Sequence, residues 1–335
     1  MVGLEYKASV ANKCVFICVD ANDHLIIVAV YVDDFLFISK SLKFVESSKL
    51  EMSGHFEMKD LGLAKWILQM ELNHNILNGI TTLFQSQYIE EILKRYGIAD
   101  SWPIKTPMDP NTTLPSLASL KINITKYQQC VGSLMHAMVW TRPDIAHVVG
   151  MVLKHAATLR QAYMIVVKRI FCYLWGTSDY KLIYQQDKAG ELVVYSDSDW
   201  IGDKTDRKLI SGFIVMLNGG PVVWSLKKQA STSLSSTEAK FIALMFVTQE
   251  LIWLRGLLSS INHLSYTATS LLIDNQEMIS LIKNSLSSKH SKYIELCYYF
   301  ICEKFANGTI AAKYISTDKQ LADDVRCGLH WGRSP

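Results

Sequence analysis

The sequence predicts a mixed α/β (α+β) protein, and three observations carry that expectation. Short apolar runs with strand character alternate with longer runs at helical spacing. Turn signals such as Asn218-Gly219-Gly220-Pro221 join neighbouring runs into hairpins. The last third sets out three antiparallel strands, a helix, a strand, helices, a strand and a helix, which describes a mixed five-stranded sheet with helices.

Taken in order, Val15–Val19, Leu25–Tyr31 and Phe35–Ser39 read as strands separated by the polar turns Asp20-Ala21-Asn22-Asp23 and Asp33-Asp34. Ser41 to Ser53 reads as a short helix, and Lys65–Leu72 with Thr81–Phe84 as a hairpin around Asn73–Gly79. Gln87–Tyr96 has the apolar stripe of an amphipathic helix. From Trp102 to Lys126 the chain carries Pro103, Pro107, Pro110 and Pro115 without apolar period. Proline lacks the donor that regular pairing needs, so this stretch reads as a connector. Two helices follow, Tyr127–Trp140 and Pro143–Leu174, the second broken near Thr158.

In the last third Leu192–Tyr195, Ile210–Leu217 and Val222–Ser225 read as the three strands, and Thr237–Leu258 as a long helix. Leu271–Asp274 reads as a buried strand, Gln276–Lys283 and Tyr293–Phe305 as helices, Ile310–Ile315 as a final strand and Lys319–Asp324 as the start of a final helix.

Composition narrows the class. With 49% hydrophobic and 19% charged residues over 335 positions, the chain is globular and long enough for two or three packed units. A net charge of +3 does not by itself announce a nucleic-acid partner, although Met151 to Gly190 holds six basic residues against two acidic ones. Seven scattered cysteines without a Cys-x-x-Cys pair indicate neither a disulfide framework nor a zinc site. The longest uninterrupted apolar run, Leu25–Val32, is far shorter than the ~20 residues of a membrane span, and no signal layout opens the chain. The expectation is an intracellular protein, cytoplasmic or nuclear, without a membrane or a small-molecule substrate.

Four carboxylates sit where elements begin or end: Asp197 after a strand, Glu238 in the first turn of the long helix, Asp274 closing a strand, and Asp323 in the final helix. Each has a bland reading alone. Glu238, for instance, completes the capping box Ser235-Ser236-Thr237-Glu238. Together they make a cluster that repels itself unless cations fill it, and two Mg2+ about 4 Å apart would fill it and support phosphodiester hydrolysis.

The stretch Tyr195-Ser-Asp-Ser-Asp-Trp200-Ile-Gly-Asp203, then Asp206-Arg-Lys, Ser211-Gly, Trp224-Ser, Lys227-Lys-Gln229 and Leu234-Ser-Ser-Thr-Glu-Ala239, resembles the ribonuclease H domain of copia-type retrotransposon Pol polyproteins. Asp274-Asn-Gln276, Gly308-Thr-Ile310 and Gln320-Leu-Ala-Asp323 continue the likeness. Tyr31-Val-Asp-Asp34, Phe56-Glu-Met-Lys-Asp-Leu-Gly62 and Thr141-Arg-Pro-Asp-Ile145 are similar to the same family's reverse transcriptase palm and thumb. The resemblance implies a partial palm with its connector over 1–115, a helical thumb or connection segment over 116–186, and a ribonuclease H-like domain over 187–329. It implies an RNA–DNA hybrid as partner and pairing with a longer polymerase chain. Asp197, Glu238, Asp274 and Asp323 would be ligands for two Mg2+ ions, or Mn2+, with Asp199 in reserve for Asp197. Asp33 and Asp34 would be the polymerase pair, exposed at a hairpin tip. Their third carboxylate lies upstream in the family, which implies that this sequence alone makes no DNA.

The sequence also departs from the family pattern. Lys240 stands where glutamate is usual, Leu226 where serine is, and Leu209-Ile210 where Ser-Thr is. Tyr163, Cys172, Tyr293, Cys297, Tyr299 and Cys302 stand where arginine or histidine is usual, each one C-to-T change away, which points to a decaying element. Three expectations follow. Lys240, two residues from Glu238 on a helix, should point away from the carboxylates. Asp274→Asn should leave folding unharmed or improved. Cys297 and Cys302 should lie on a substrate-side helix, where arginine would strengthen hybrid binding.

Overall fold

The computed structural model describes residues 6–98, 101–108, 123–154, 161–188, 190–199, 210–228, 236–261, 267–284 and 292–323. The chain divides into two compact units, Met1–Lys65 with Thr248–Tyr266, and Trp66–Val247 with Thr267–Pro335.

The first unit is built on a four-stranded antiparallel sheet in the order β1 (Lys7–Ala8), β2 (Val15–Val19), β3 (Leu25–Tyr31), β4 (Asp34–Ser39). Period-two alternation in β3 sends Ile26 and Val28 into a core with Tyr6 and Met52, the latter from helix α1 (Leu42–Ser53). The Phe44 amide donates to Ser41 Oγ at 3.3 Å, so Ser41 caps that helix. The second half of helix α6 (Ser236–Ser260) belongs to this unit. Its Trp253 indole donates to the Ala11 carbonyl at 2.9 Å, and Ser260 Oγ meets Ser9 Oγ at 2.9 Å.

The second unit holds two sheets and a helical core. One sheet runs β5 (Trp66–Ile67), β6 (Met70–Asn75), β7 (Ile80–Phe84), β8 (Leu182–Gln185), all antiparallel. Helices α2 (Ser86–Tyr96), α3 (Ile124–Trp140), α4 (Ala146–Lys154) and α5 (Gln161–Gly176) enclose the core around Ile92, Leu134, Val149 and Ile170. The expected break near Thr158 and much of the proline-rich connector lie outside the described residues.

Thr141-Arg142-Pro143-Asp144 ties this core together. Arg142 is fully buried, donates from Nε and Nη2 to Asp144 and from Nη1 to the Thr177 carbonyl at 2.9 Å, and its guanidinium lies 5.3 Å from the Tyr180 ring. Tyr173 donates its hydroxyl to Asp144 at 2.7 Å. A charge removed from water persists only where it is paired and hydrogen-bonded, and here each guanidinium nitrogen has an acceptor.

The second sheet has the order β11 (Gly220–Lys228), β10 (Ile210–Leu217), β9 (Leu192–Asp199), β12 (Thr269–Ile273), β13 (Ile310–Tyr314). The first three strands are antiparallel; β9, β12 and β13 are parallel, with α7 (Gln276–Asn284) and α8 (Lys292–Ala306) in the connection from β12 to β13. Asn218 (φ 53°) and Gly219 (φ 78°) turn β10 into β11, the pair of positive angles that a two-residue hairpin turn requires. Helix α6 is the one helix among the described residues that is long and apolar enough to cross a membrane. Of its apolar residues, Phe241, Leu244 and Val247 are buried in this unit, and Leu251 and Leu258 in the first.

Candidate functional site

Register places the two strand-end aspartates side by side. Tyr195 of β9 lies opposite Leu272 of β12 in parallel pairing, so two residues further on Asp197 stands level with Asp274. Adjacent strands are ~4.8 Å apart and alternate residues share a face, which aims both carboxylates at one spot. Asp197 side-chain exposure is 6% and that of Asp274 is 13%. Gln320 ties the following segment to the same strand ends, its side-chain amide donating to the Ser196 carbonyl at 3.3 Å and the Leu272 carbonyl at 3.4 Å. Asp323, three residues later, opens the final helix in a half-buried position.

Into this spot α6 delivers a cation. Lys240 Nζ donates to Asp274 Oδ1 at 2.6 Å and lies 3.4 Å from Asp197 Oδ1. The expectation that Lys240 points away is therefore wrong. Its neighbours Ala239 and Phe241 are both fully buried, so this part of α6 faces protein and carries the intervening lysine to the strand-end carboxylates. Burial opposes the ammonium charge, yet the hydrogen bond to Asp274 and the charge of Asp197 outweigh it and hold Lys240 above the usual lysine range. The sequence carried a signal for this. Lys240 is the one charged residue between Glu238 and Glu250 on an otherwise apolar helix, and a lysine carried into a core needs an acidic partner.

Glu238 lies on the same helix and Asp199 at the end of β9, but their side chains fall outside the described residues. Asp33 and Asp34 are exposed at the tip of the β3–β4 hairpin, in the other compact unit, where Val32 takes φ 54°. Among the described residues no three His, Cys, Asp or Glu side chains group in a metal-holding arrangement. Lys240 engages Oδ1 of each carboxylate, so an ion bridging Asp197 and Asp274 through those oxygens would have to displace the ammonium.

Helix α8 corrects a second expectation. Cys297 is buried, its thiol 3.2 Å from Met245 Sδ on α6, and Cys302 directs its thiol to the Ile282 carbonyl at 3.9 Å. Burial pushes the Cys302 thiol up from its ordinary pKa. Cys297 is thus turned into the protein and Cys302 is half-buried, while Tyr299 of this group is exposed. Tyr163 likewise fills the helical core, with Cys172 packed against it.

Comparison with known proteins gives the following. Residues 1–110 match the reverse transcriptase (RNA-dependent DNA polymerase) family. The chain is 34% identical over 325 residues to the retrovirus-related Pol polyprotein from transposon TNT 1-94 of Nicotiana tabacum, covering 95% of this chain and 24% of that protein. It is 30% identical to a putative transposon Ty5-1 protein of Saccharomyces cerevisiae, across 66% of this chain and 72% of the relative. A foamy viral protease-reverse transcriptase solved in complex with dsDNA is similar over 87% of this chain and 55% of its own length, at 13% identity and a TM-score of 0.46. The chain thus spans about a quarter of the length of the tobacco Pol polyprotein it matches.

Proposed function

The chain belongs to the copia-type retrotransposon Pol polyproteins, and from that premise we propose that its five-stranded sheet takes up RNA–DNA hybrid without cutting it. One observation carries this reading: the ammonium of Lys240 stands between Asp197 and Asp274, where hydrolysis would need divalent ions. Phosphodiester hydrolysis near neutral pH calls for an activated water and a stabilised leaving oxygen. A lysine locked to two carboxylates supplies neither, because its proton is shared with them and its charge is already neutralised. The hybrid would be met in the cytoplasm or nucleus, with a longer Pol chain as the protein partner.

A second reading keeps the nuclease. It is favoured by the level placement of Asp197 and Asp274 on adjacent parallel strands. In that reading ions would first displace Lys240, and Glu238 and Asp323 would complete the ligand set.

One assay separates the two. The purified chain is mixed with labelled RNA–DNA hybrid in magnesium and resolved on native and denaturing gels. The expected result is a retarded complex with the RNA strand intact. RNA cleavage that disappears in Asp197→Asn would instead establish the second reading. We also propose that the chain is inactive in DNA synthesis, since Asp33 and Asp34 sit exposed with no third carboxylate grouped with them among the described residues. Primer extension on a primed RNA template should stay at background.

A further inference from the structure

Resting on that reading of the strand-end site, we propose that Lys240 is a built-in counter-cation. Its ammonium does for Asp197 and Asp274 what a divalent ion would otherwise do, and so makes the sheet independent of metal and closed to it.

Parallel register fixes Asp197 and Asp274 level with each other, and their burial leaves little water to screen one carboxylate from the other. A sheet with that pair and no cation would fold against their repulsion. Lys240 answers both at once, at 2.6 and 3.4 Å, from a backbone held by the buried side chains of Ala239 and Phe241. The Lys240 side chain is 16% exposed, so most of it is held against protein beside the two carboxylates. A dissolved ion therefore competes with a charge that is already present and pays no entropy of association. Should an ion enter, it would strand the ammonium beside a dication in a half-buried site.

This differs measurably from an ordinary metal site in its apo state. In such a site, removing one carboxylate relieves repulsion and raises stability. Here removing it takes a partner from a buried lysine and lowers stability. Asp274→Asn is therefore expected to be destabilising, the reverse of the expectation from sequence.

The test uses the full chain and three proteins: wild type, Asp274→Asn and Lys240→Gln. Melting is followed in EDTA and in millimolar Mn2+, and Mn2+ binding is measured by calorimetry. Wild type should melt at the same temperature in both buffers. Asp274→Asn should melt about 5–10 °C lower in EDTA. Lys240→Gln should also melt lower in EDTA but be restored by Mn2+, and should bind Mn2+ at least about tenfold more tightly than wild type. A rise in melting temperature for Asp274→Asn in EDTA would overturn the proposal, as would Mn2+ binding by wild type as tight as by Lys240→Gln. If Lys240→Gln does not fold, the melting of Asp274→Asn in EDTA and of wild type with and without Mn2+ still decide the matter, a wild type stabilised by Mn2+ counting against the proposal. Hybrid binding by wild type in EDTA is scored separately. Its failure would remove the nucleic-acid reading while leaving the counter-cation intact.

Discussion

A single buried position shows how side-chain type decides what a surface can do. Cys297 occupies a site on α8 with 1% exposure, against Met245 of α6. Arginine there would carry a charge and a longer side chain into a buried site that holds a thiol, so Cys297→Arg should lower stability by about 3–5 kcal/mol, measured by urea denaturation, and should not strengthen hybrid binding. Unchanged stability together with tighter hybrid binding would return this helix to the substrate side. The misreading has a physical origin. Tyr293–Phe305 is apolar on most of its circumference, so helical period alone does not say which side meets the sheet. The direction of Lys240 has a related origin: spacing from Glu238 does not set it, whereas the burial of Ala239 and Phe241 on either side does.

At the scale of elements, what was legible came from period and turn chemistry. β2, β3 and α1 form where apolar runs bounded by polar turns and the Ser41 cap place them, and Asn218-Gly219 turns β10 into β11. What was not legible is short or is defined by a distant partner. β1, β5 and β8 span two to four residues, and β8 exists because Ile80 of β7 pairs with Gln185 a hundred residues away. That same strand presses on the β10–β11 turn. The Gln185 amide donates to the Asn218 carbonyl at 2.8 Å, and Tyr184 donates its hydroxyl to the Pro221 carbonyl at 2.8 Å. A Cβ on Gly220 would stand 2.5 Å from the Ile183 carbonyl and 2.6 Å from the Tyr184 ring. Backbone cannot yield as a side chain does, so Gly220→Ala should destabilise by about 1–3 kcal/mol and lower the melting temperature of this unit. A variant as stable as wild type would mean that β8 and the turn are not in contact.

For the whole molecule the governing quantity is charge, which was legible from the start: 34 basic residues against 31 acidic ones. Nucleic acids bind largely through phosphates, and each phosphate neutralised adds about 0.9 to the slope of log affinity against log salt. A chain this close to neutral can offer only a local basic face, for which the helical segment around Lys168, exposed on α5, is the candidate. Arg142 lends nothing to it, since it is committed to Asp144 and Thr177 in the core. Lys240 lends nothing either, since its charge is spent on Asp197 and Asp274. Hybrid binding followed by fluorescence anisotropy should therefore give a slope of about 2–4, a loss of roughly 15- to 250-fold between about 50 and 200 mM salt. Lys168→Gln should reduce that slope by about one, while Lys240→Gln should leave it unchanged. A slope of six or more would require a broad basic surface that the composition does not supply. A slope that fell with Lys240→Gln would mean that its ammonium faces the nucleic acid rather than its own two aspartates.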